Sequence, residues 1–288
     1  MLVTLKEVLK IADEKQIAVG AFNAPNLESL QAVTMAAEEL DLPVVIQFAQ
    51  CHEVYNPVDV MGPLMVEFAK KTKIPMCVHL DHGETLDYVE KCLDMGFTSI
   101  MYDGSTLPYE ENVENTKKAV AMAREKGASV EAELGSMGRR ESGAGDGSGA
   151  DDETKIYTDP VQAKDFVERT GIDALACSFG TTHGIYLTKP RLDFSVVENV
   201  RRMTGGIPVV MHGGSGVSRE DFHAAIRAGV RKINYFTYMD KAAGTAVTQW
   251  AQALEEGQPP FFLDVEIAAK KAMKENLKEA MKMFAFME

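Results

Sequence analysis

Pro208-Val209-Val210-Met211-His212-Gly213-Gly214-Ser215-Gly216-Val217-Ser218 reads as a complete strand-to-helix junction. Its apolar run is short and continuous, as a strand covered on both faces requires. A polar histidine stands at the carboxyl end of that run. The glycines then let the backbone turn, and Ser218 with Asp221 has capping-box spacing, Asp replacing the usual Glu or Gln.

The same unit recurs in both directions along the chain. Strand-like runs occupy Ile17–Phe22, Pro43–Phe48, Pro75–Leu80, Ser99–Tyr102, Ser129–Leu134, Ala174–Phe179, Pro208–Met211 and Val230–Tyr235. Helical patterns alternate with them at Leu27–Leu40, Val58–Lys71, Thr85–Met95, Glu110–Lys126, Pro160–Thr170, Phe194–Thr204 and Arg219–Ala228. Asp159-Pro160 is an N-cap followed by proline at the first helical position, and Gly96, Gly127, Gly171 and Gly229 close four helices. Eight β/α units in 288 residues predict an α/β fold, a (β/α)8 TIM barrel of one domain spanning 1–288. A helix at Thr4–Glu14, with its own Thr4…Glu7 capping box, is expected to plug the barrel floor. Extra C-terminal helices at about Met239–Glu255 and Asp264–Phe284 extend beyond the minimal barrel.

Composition narrows the partners. The net charge of −13 argues against nucleic acid and against an anionic membrane surface. No stretch approaches the ~20 apolar residues of a membrane span, and Met1–Lys10 lacks the apolar run of a signal peptide. Cys51, Cys77, Cys92 and Cys177 form no Cys-x-x-Cys pair, and three sit in apolar patterns, so reduced thiols and a cytoplasmic location are expected. An anionic small substrate remains compatible, because backbone N–H groups and a metal supply local positive potential.

The chemistry collects at the strands' carboxyl ends, where barrel enzymes build their sites. His82, His183 and His212 each follow a strand-like run and each precede a glycine, which suggests a zinc with an open coordination place. Asn23, Asp81, Asp103, Glu131, Glu133, Asn234 and Thr237 stand at or near other strand ends. Polar groups at seven strand ends are hard to explain as packing. His79 reads as a core or supporting histidine, His223 as a solvated helical one, and His52 as lying on the active face. Residues 135–158 after the fifth strand are rich in glycine and serine and read as a lid that carries Glu141.

Five motifs together resemble the class II, zinc-dependent ketose-bisphosphate aldolases, and most of all their fructose- and tagatose-bisphosphate branch. They are His79-Leu80-Asp81-His82, Val130-Glu131-Ala132-Glu133-Leu134-Gly135, Gly180-Thr181-Thr182-His183-Gly184, His212-Gly213-Gly214-Ser215-Gly216 and Lys232-Ile233-Asn234. The resemblance implies that His82, His183 and His212 hold Zn2+, which stabilises the enediolate left by C3–C4 cleavage. Asp81 would handle the C4 hydroxyl proton and Glu141 the proton at the enediolate carbon. Glu133 and Asp103 would hold a second metal position or orient the histidines. Asn23, Gly184, Gly213, Gly214, Ser215, Asn234 and Thr237 would bind the dihydroxyacetone phosphate half, with Na+ or K+ near Gly184 and Gly213. The partner is then a small sugar phosphate, and a homodimer or homotetramer is expected. A metal-dependent barrel hydrolase and a catalytically silent sugar-phosphate binder are the competing functions.

The chain departs from that family pattern at the substrate's far end. Relatives carry a late Pro-Arg that grips the distal phosphate, whereas this chain reads Gly257-Gln258-Pro259-Pro260-Phe261-Phe262 and has no arginine after Arg231. Ala49 stands where relatives place a serine or threonine, and Tyr235-Phe236 replaces small residues before Thr237. These rings would either reshape the pocket wall or pack on an added helix. The lid reads Gly138-Arg139-Arg140-Glu141-Ser142, which keeps the carboxylate. Three readings stay open: an aldehyde without the distal phosphate, Arg139 and Arg140 as substitute cations, or a different alignment of the tail.

Overall fold

The predicted runs become β1 (Val19–Asn23), β2 (Val44–Ala49), β3 (Met76–Gly83), β4 (Ser99–Tyr102), β5 (Ser129–Leu134), β6 (Ala174–Cys177), β7 (Val209–Met211) and β8 (Val230–Asn234). They are parallel and close in sequential order, β8 pairing with β1. This computed structural model describes residues 1–135, 157–184 and 190–288. The helices are α1 (Leu5–Lys15), α2 (Leu27–Leu40), α3 (Val58–Lys71), α4 (Leu86–Asp94), α5 (Tyr109–Glu125), α6 (Pro160–Thr170), α7 (Phe194–Met203), α8 (Arg219–Ala228), α9 (Thr237–Gln252) and α10 (Phe262–Phe284). A 3-10 turn, Gln50–Val54, follows β2.

α1 plugs the floor as expected. The Thr4–Glu7 capping box starts it, a device worth about 1 kcal/mol. Leu5, Val8, Leu9 and Ala12 on one face pack against Val19, Ala21, Val45, Cys77, Ala174, Ala176 and Val210. Those residues, from β1, β2, β3, β6 and β7, point inward and line the lower part of the barrel. Burying each of α1's leucines there contributes roughly 1.5–3 kcal/mol. At the same end Asp13 accepts from Arg231 at 2.6 Å and Arg201 at 3.0 Å, which fixes α1 to β8 and α7.

α10 starts two residues earlier than its pattern suggested, directly after Pro259-Pro260 and Phe261. Its buried residues Met273, Leu277, Ala280, Met281 and Phe284 recur at helical spacing and form one stripe. α10 packs on α2 and α9. Lys274 and Lys278 bind Glu39 of α2 at 2.6 and 2.8 Å, surface pairs that fix the register of the two helices more than they add stability.

Above the apolar floor the barrel interior turns polar. Gln47, His79, Ser99, Glu131 and Lys232 have no solvent exposure. This layer supports the mouth, where the predicted site residues gather.

Candidate metal centre and active site

Alternation along β3 sends Cys77, His79 and Asp81 into the barrel, and would send His82 out. His82 instead adopts φ 47°, the left-handed region that non-glycine residues seldom occupy. The β3–β4 register shifts between Leu80 and Gly83. This irregularity re-aims the imidazole inward, a use of bulges seen beside active sites. His82 Nε2 then lies 2.9 Å from Nδ1 of His212, the residue just beyond β7. His79 and His82 therefore both face the interior, where strict alternation separates them.

The His82 and His212 rings each have their other nitrogen held by a carboxylate. Asp103 Oδ2 lies 2.7 Å from His82 Nδ1, and Glu131 Oε1 lies 2.8 Å from His212 Nε2. The His183 ring, in the loop after β6, stands 5.0 Å from that of His82 and 5.6 Å from that of His212. The ligating atoms of all three histidines lie within 4.8 Å of one another. Three imidazoles, two of them oriented by carboxylates, fit a zinc ion with an open coordination place. His82, Asp103 and Glu133 form a second cluster of the same kind. Asp103 also accepts from the Ser105 hydroxyl at 2.6 Å and its N–H at 3.1 Å, so it stands as the partner that orients His82. Glu133 Oε2 is 3.7 Å from His212 Nδ1.

Charge in this cluster follows from burial and neighbours. Burial alone would lower His82, but Asp81, the Asp103 hydrogen bond and Glu133 overcome it and raise the group to about 10. Burial lowers His212, with the Glu131 hydrogen bond opposing and the His82 charge adding to the shift. Burial would raise Asp81, yet His82, His212, Lys232 and the Asn23 hydrogen bond hold it well below the carboxylate range.

Asp81 is held by three amides from three strands. Its Oδ2 accepts from Asn23 Nδ2 at 3.0 Å and Gln47 Nε2 at 3.1 Å, and its Oδ1 accepts from Asn234 Nδ2 at 3.0 Å. Asn234 Oδ1 in turn accepts from Lys232 Nζ at 2.8 Å. Asn23 and Asn234, read as substrate contacts, thus have side chains engaged with Asp81. Gln47 and Lys232 escape a reading of strand ends because they lie within their strands. Their signal is polarity interrupting an apolar run.

The glycines after β7 permit close backbone contact between neighbouring loops. Gly213 has φ 64°, and a Cβ there would stand 2.3 Å from the Thr182 carbonyl oxygen. The Gly214 N–H donates to the Asn234 carbonyl at 3.1 Å. Ser215 is buried, and its Oγ lies 3.5 Å from the Tyr238 N–H. Thr237 opens α9, whose N-cap, Phe236, makes no side-chain capping bond. The loop and this helix N-terminus together suit an anion. Gly184, beside His183, has φ 91°. Glu141, Arg139 and Arg140 lie outside the described residues.

Two subsidiary expectations resolve. His223 is only partly solvated: its Nε2 lies 3.1 Å from the Met283 carbonyl and its ring 4.3 Å from that of Phe286, because the end of α10 folds over α8. Cys77, Cys92 and Cys177 are buried and Cys51 is exposed, all as free thiols. Burial pushes the Cys77 and Cys92 thiols up to about 12, which makes them poor nucleophiles.

Comparison with known proteins agrees with this geometry. The family model described as fructose-bisphosphate aldolase class-II matches residues 3–287. The chain is 39% identical to the fructose-bisphosphate aldolase of Staphylococcus aureus (strain Mu50 / ATCC 700699), with 98% of this chain and 97% of that protein covered. It is likewise 39% identical to the probable fructose-bisphosphate aldolase of Bacillus subtilis (strain 168), at 98% and 97% coverage. Among solved structures, the YdjI aldolase of Escherichia coli K12 superposes with a TM-score of 0.85 at 37% identity, over 99% of this chain and 97% of that one.

Proposed function

The chain belongs to the class-II fructose-bisphosphate aldolase family, and on that premise we propose that it reversibly cleaves a ketose 1-phosphate or ketose 1,6-bisphosphate into dihydroxyacetone phosphate and an aldehyde. It is an aldolase, a lyase of carbohydrate metabolism acting on a sugar phosphate. Family membership sets aside the metal-dependent hydrolase and the silent binder. The observation that carries the finer reading is the meeting of His82, His183 and His212 beside the amide-held carboxylate of Asp81.

His82, His183 and His212 would hold zinc, with Asp103 and Glu131 fixing the orientation of two of the rings. Bound there, zinc supplies Lewis-acid polarisation of the ketose carbonyl. Asp81 takes the proton from the C4 hydroxyl as the C3–C4 bond breaks, and C4 leaves as the aldehyde carbon. The bonding electron pair stays with C3, and Glu141 returns a proton there to give dihydroxyacetone phosphate. Asn23, Gln47 and Asn234 hold Asp81 at that proton. Gly184, Gly213, Ser215 and Thr237 would bind the donor phosphate through backbone N–H groups, hydroxyls and the N-terminus of α9, while Gly214, its N–H taken by the Asn234 carbonyl, shapes the loop that carries them. Na+ or K+ would be held near Gly184 and Gly213, a reading supported by the Thr182 carbonyl that Gly213 approaches.

Residues 1–288 act as one catalytic domain. Exposed Phe261, Phe262, Leu263 and Ile267 at the start of α10 support association into a homodimer or homotetramer. Among the described residues no helix is long and apolar enough to cross a membrane. The free thiols support a cytoplasmic setting.

The test is proton exchange of dihydroxyacetone phosphate in D2O, followed by NMR with and without a chelator. Stereospecific exchange, lost on chelation and restored by Zn2+, is expected. Exchange indifferent to metal, or none with zinc bound, would overturn the donor assignment.

A further inference from the structure

Tyr235 and Phe236 take different paths at the mouth of β8. Tyr235 is buried against Phe22 and Phe284, with ring centroids at 6.2 and 6.1 Å, and so anchors α10. Phe236 turns instead to His52, with centroids 5.0 Å apart. His52 belongs to the 3-10 turn after β2, and its ring also meets Tyr55 at 5.9 Å and Phe48 at 6.1 Å. In the closed barrel β1 lies between β8 and β2. Contact between a residue beyond β2 and one beyond β8 therefore spans the mouth of β1, where Asn23 stands.

Asp81 faces the same sector, since its three amide partners come from β1, β2 and β8. If Asp81 takes the C4 hydroxyl proton, the departing aldehyde begins at Asp81. The donor phosphate lies towards Ser215 and the α9 N-terminus, so the aldehyde's remaining carbons extend towards the turn after β2. The wall they meet is aromatic. Among the described residues, the acidic and basic side chains of the segments on that rim, Gln50–Pro57 and Gly83–Thr85, are Glu53, His52 and Glu84, with no lysine or arginine. Lys241, near the start of α9, sits over the Tyr238 ring at 5.4 Å. A terminal phosphate dianion needs cationic or N–H donors there. The C–H faces of an uncharged hydroxyaldehyde suit rings.

We propose that His52, Tyr55 and Phe236 form the aldehyde subsite and select an aldehyde that carries no terminal phosphate. This rests on the aldolase reading with dihydroxyacetone phosphate as donor. It makes His52, Tyr55 and Phe236 specificity determinants.

The test uses the zinc-loaded full chain and measures condensation of dihydroxyacetone phosphate with glyceraldehyde and with glyceraldehyde 3-phosphate. We expect kcat/KM to favour glyceraldehyde by at least about ten-fold. Phe236→Ala and the more exposed Tyr55→Ala should each lower the ratio of glyceraldehyde kcat/KM to donor exchange rate, by about ten-fold for Phe236. Preference for glyceraldehyde 3-phosphate would overturn the proposal, as would variants that lower condensation and exchange in equal proportion or leave both unchanged. Failure of donor exchange in the unmodified protein removes the donor reading itself. Exchange without glyceraldehyde preference removes the subsite alone.

Discussion

Lys232 Nζ lies 2.9 Å from Glu131 Oε2, and neither side chain has any exposure to solvent. The other oxygen of that carboxylate orients His212, and the same ammonium donates to Asn234, which holds Asp81. One buried ion pair thus links a candidate metal ligand to the candidate base. Burial would raise Glu131, but Lys232 and the His212 hydrogen bond hold it well below the carboxylate range.

Removing one partner strands the other charge in the barrel. Lys232→Met should destabilise the protein by about 3–5 kcal/mol, measured by urea unfolding of the metal-stripped chain. Glu131→Gln added to that variant removes the stranded charge while keeping a hydrogen-bonding group for His212. It should restore more than half of the loss. A single variant within about 0.5 kcal/mol of the parent would mean that the pair carries little of the barrel's stability.

Asp103→Asn keeps the shape of the side chain and weakens its hold on His82 Nδ1. Zinc affinity should fall about 10–100-fold, as losses of such orienting partners do. Competition titration against a chelator reads this directly, and unchanged affinity would remove Asp103 from any role at the centre.

Much of this was legible in the sequence, for local reasons. α6 and α8 match their predicted spans because Asp159-Pro160 and Ser218 mark their starts and Gly171 and Gly229 their ends. The three histidines declared themselves by standing at strand ends. The inward turn of His82 did not, because it depends on a register shift against β4. Nor did the linkage of Glu131, Lys232 and Asn234, which joins residues about 100 positions apart across the barrel. The division of labour between Tyr235 and Phe236 likewise required knowing where α10 and the turn after β2 lie.

Asp81→Asn separates the base from the metal. It leaves all three histidines, so zinc content should match the parent. Cleavage should fall about 10²–10⁴-fold, the usual contribution of a positioned proton acceptor. Donor exchange involves no C4 hydroxyl, so it should fall far less than cleavage. Equal loss of the two would shift Asp81's role towards holding the centre together.

His79 gives the metal-stripped protein a pH signature. It is fully buried, with Nδ1 2.8 Å from Ser99 Oγ and Nε2 3.6 Å from Glu131 Oε2. Burial and Lys232 lower it from 6.5 to about 3, against the pull of Glu131. The folded protein therefore stays neutral at His79 where the unfolded chain takes up a proton. Stability from this group is complete above pH 6.5 and is lost as pH falls towards 3. Between pH 6.5 and 5, before free carboxylates titrate, the loss should be roughly 1.5 kcal/mol. His212 is also lowered and acts with the same sign, whereas His82 is raised and acts with the opposite sign. Comparing urea unfolding of the parent with His79→Asn cancels both. The variant should lose less stability across this interval by about that amount, and an identical loss would show that His79 takes up its proton in the folded state.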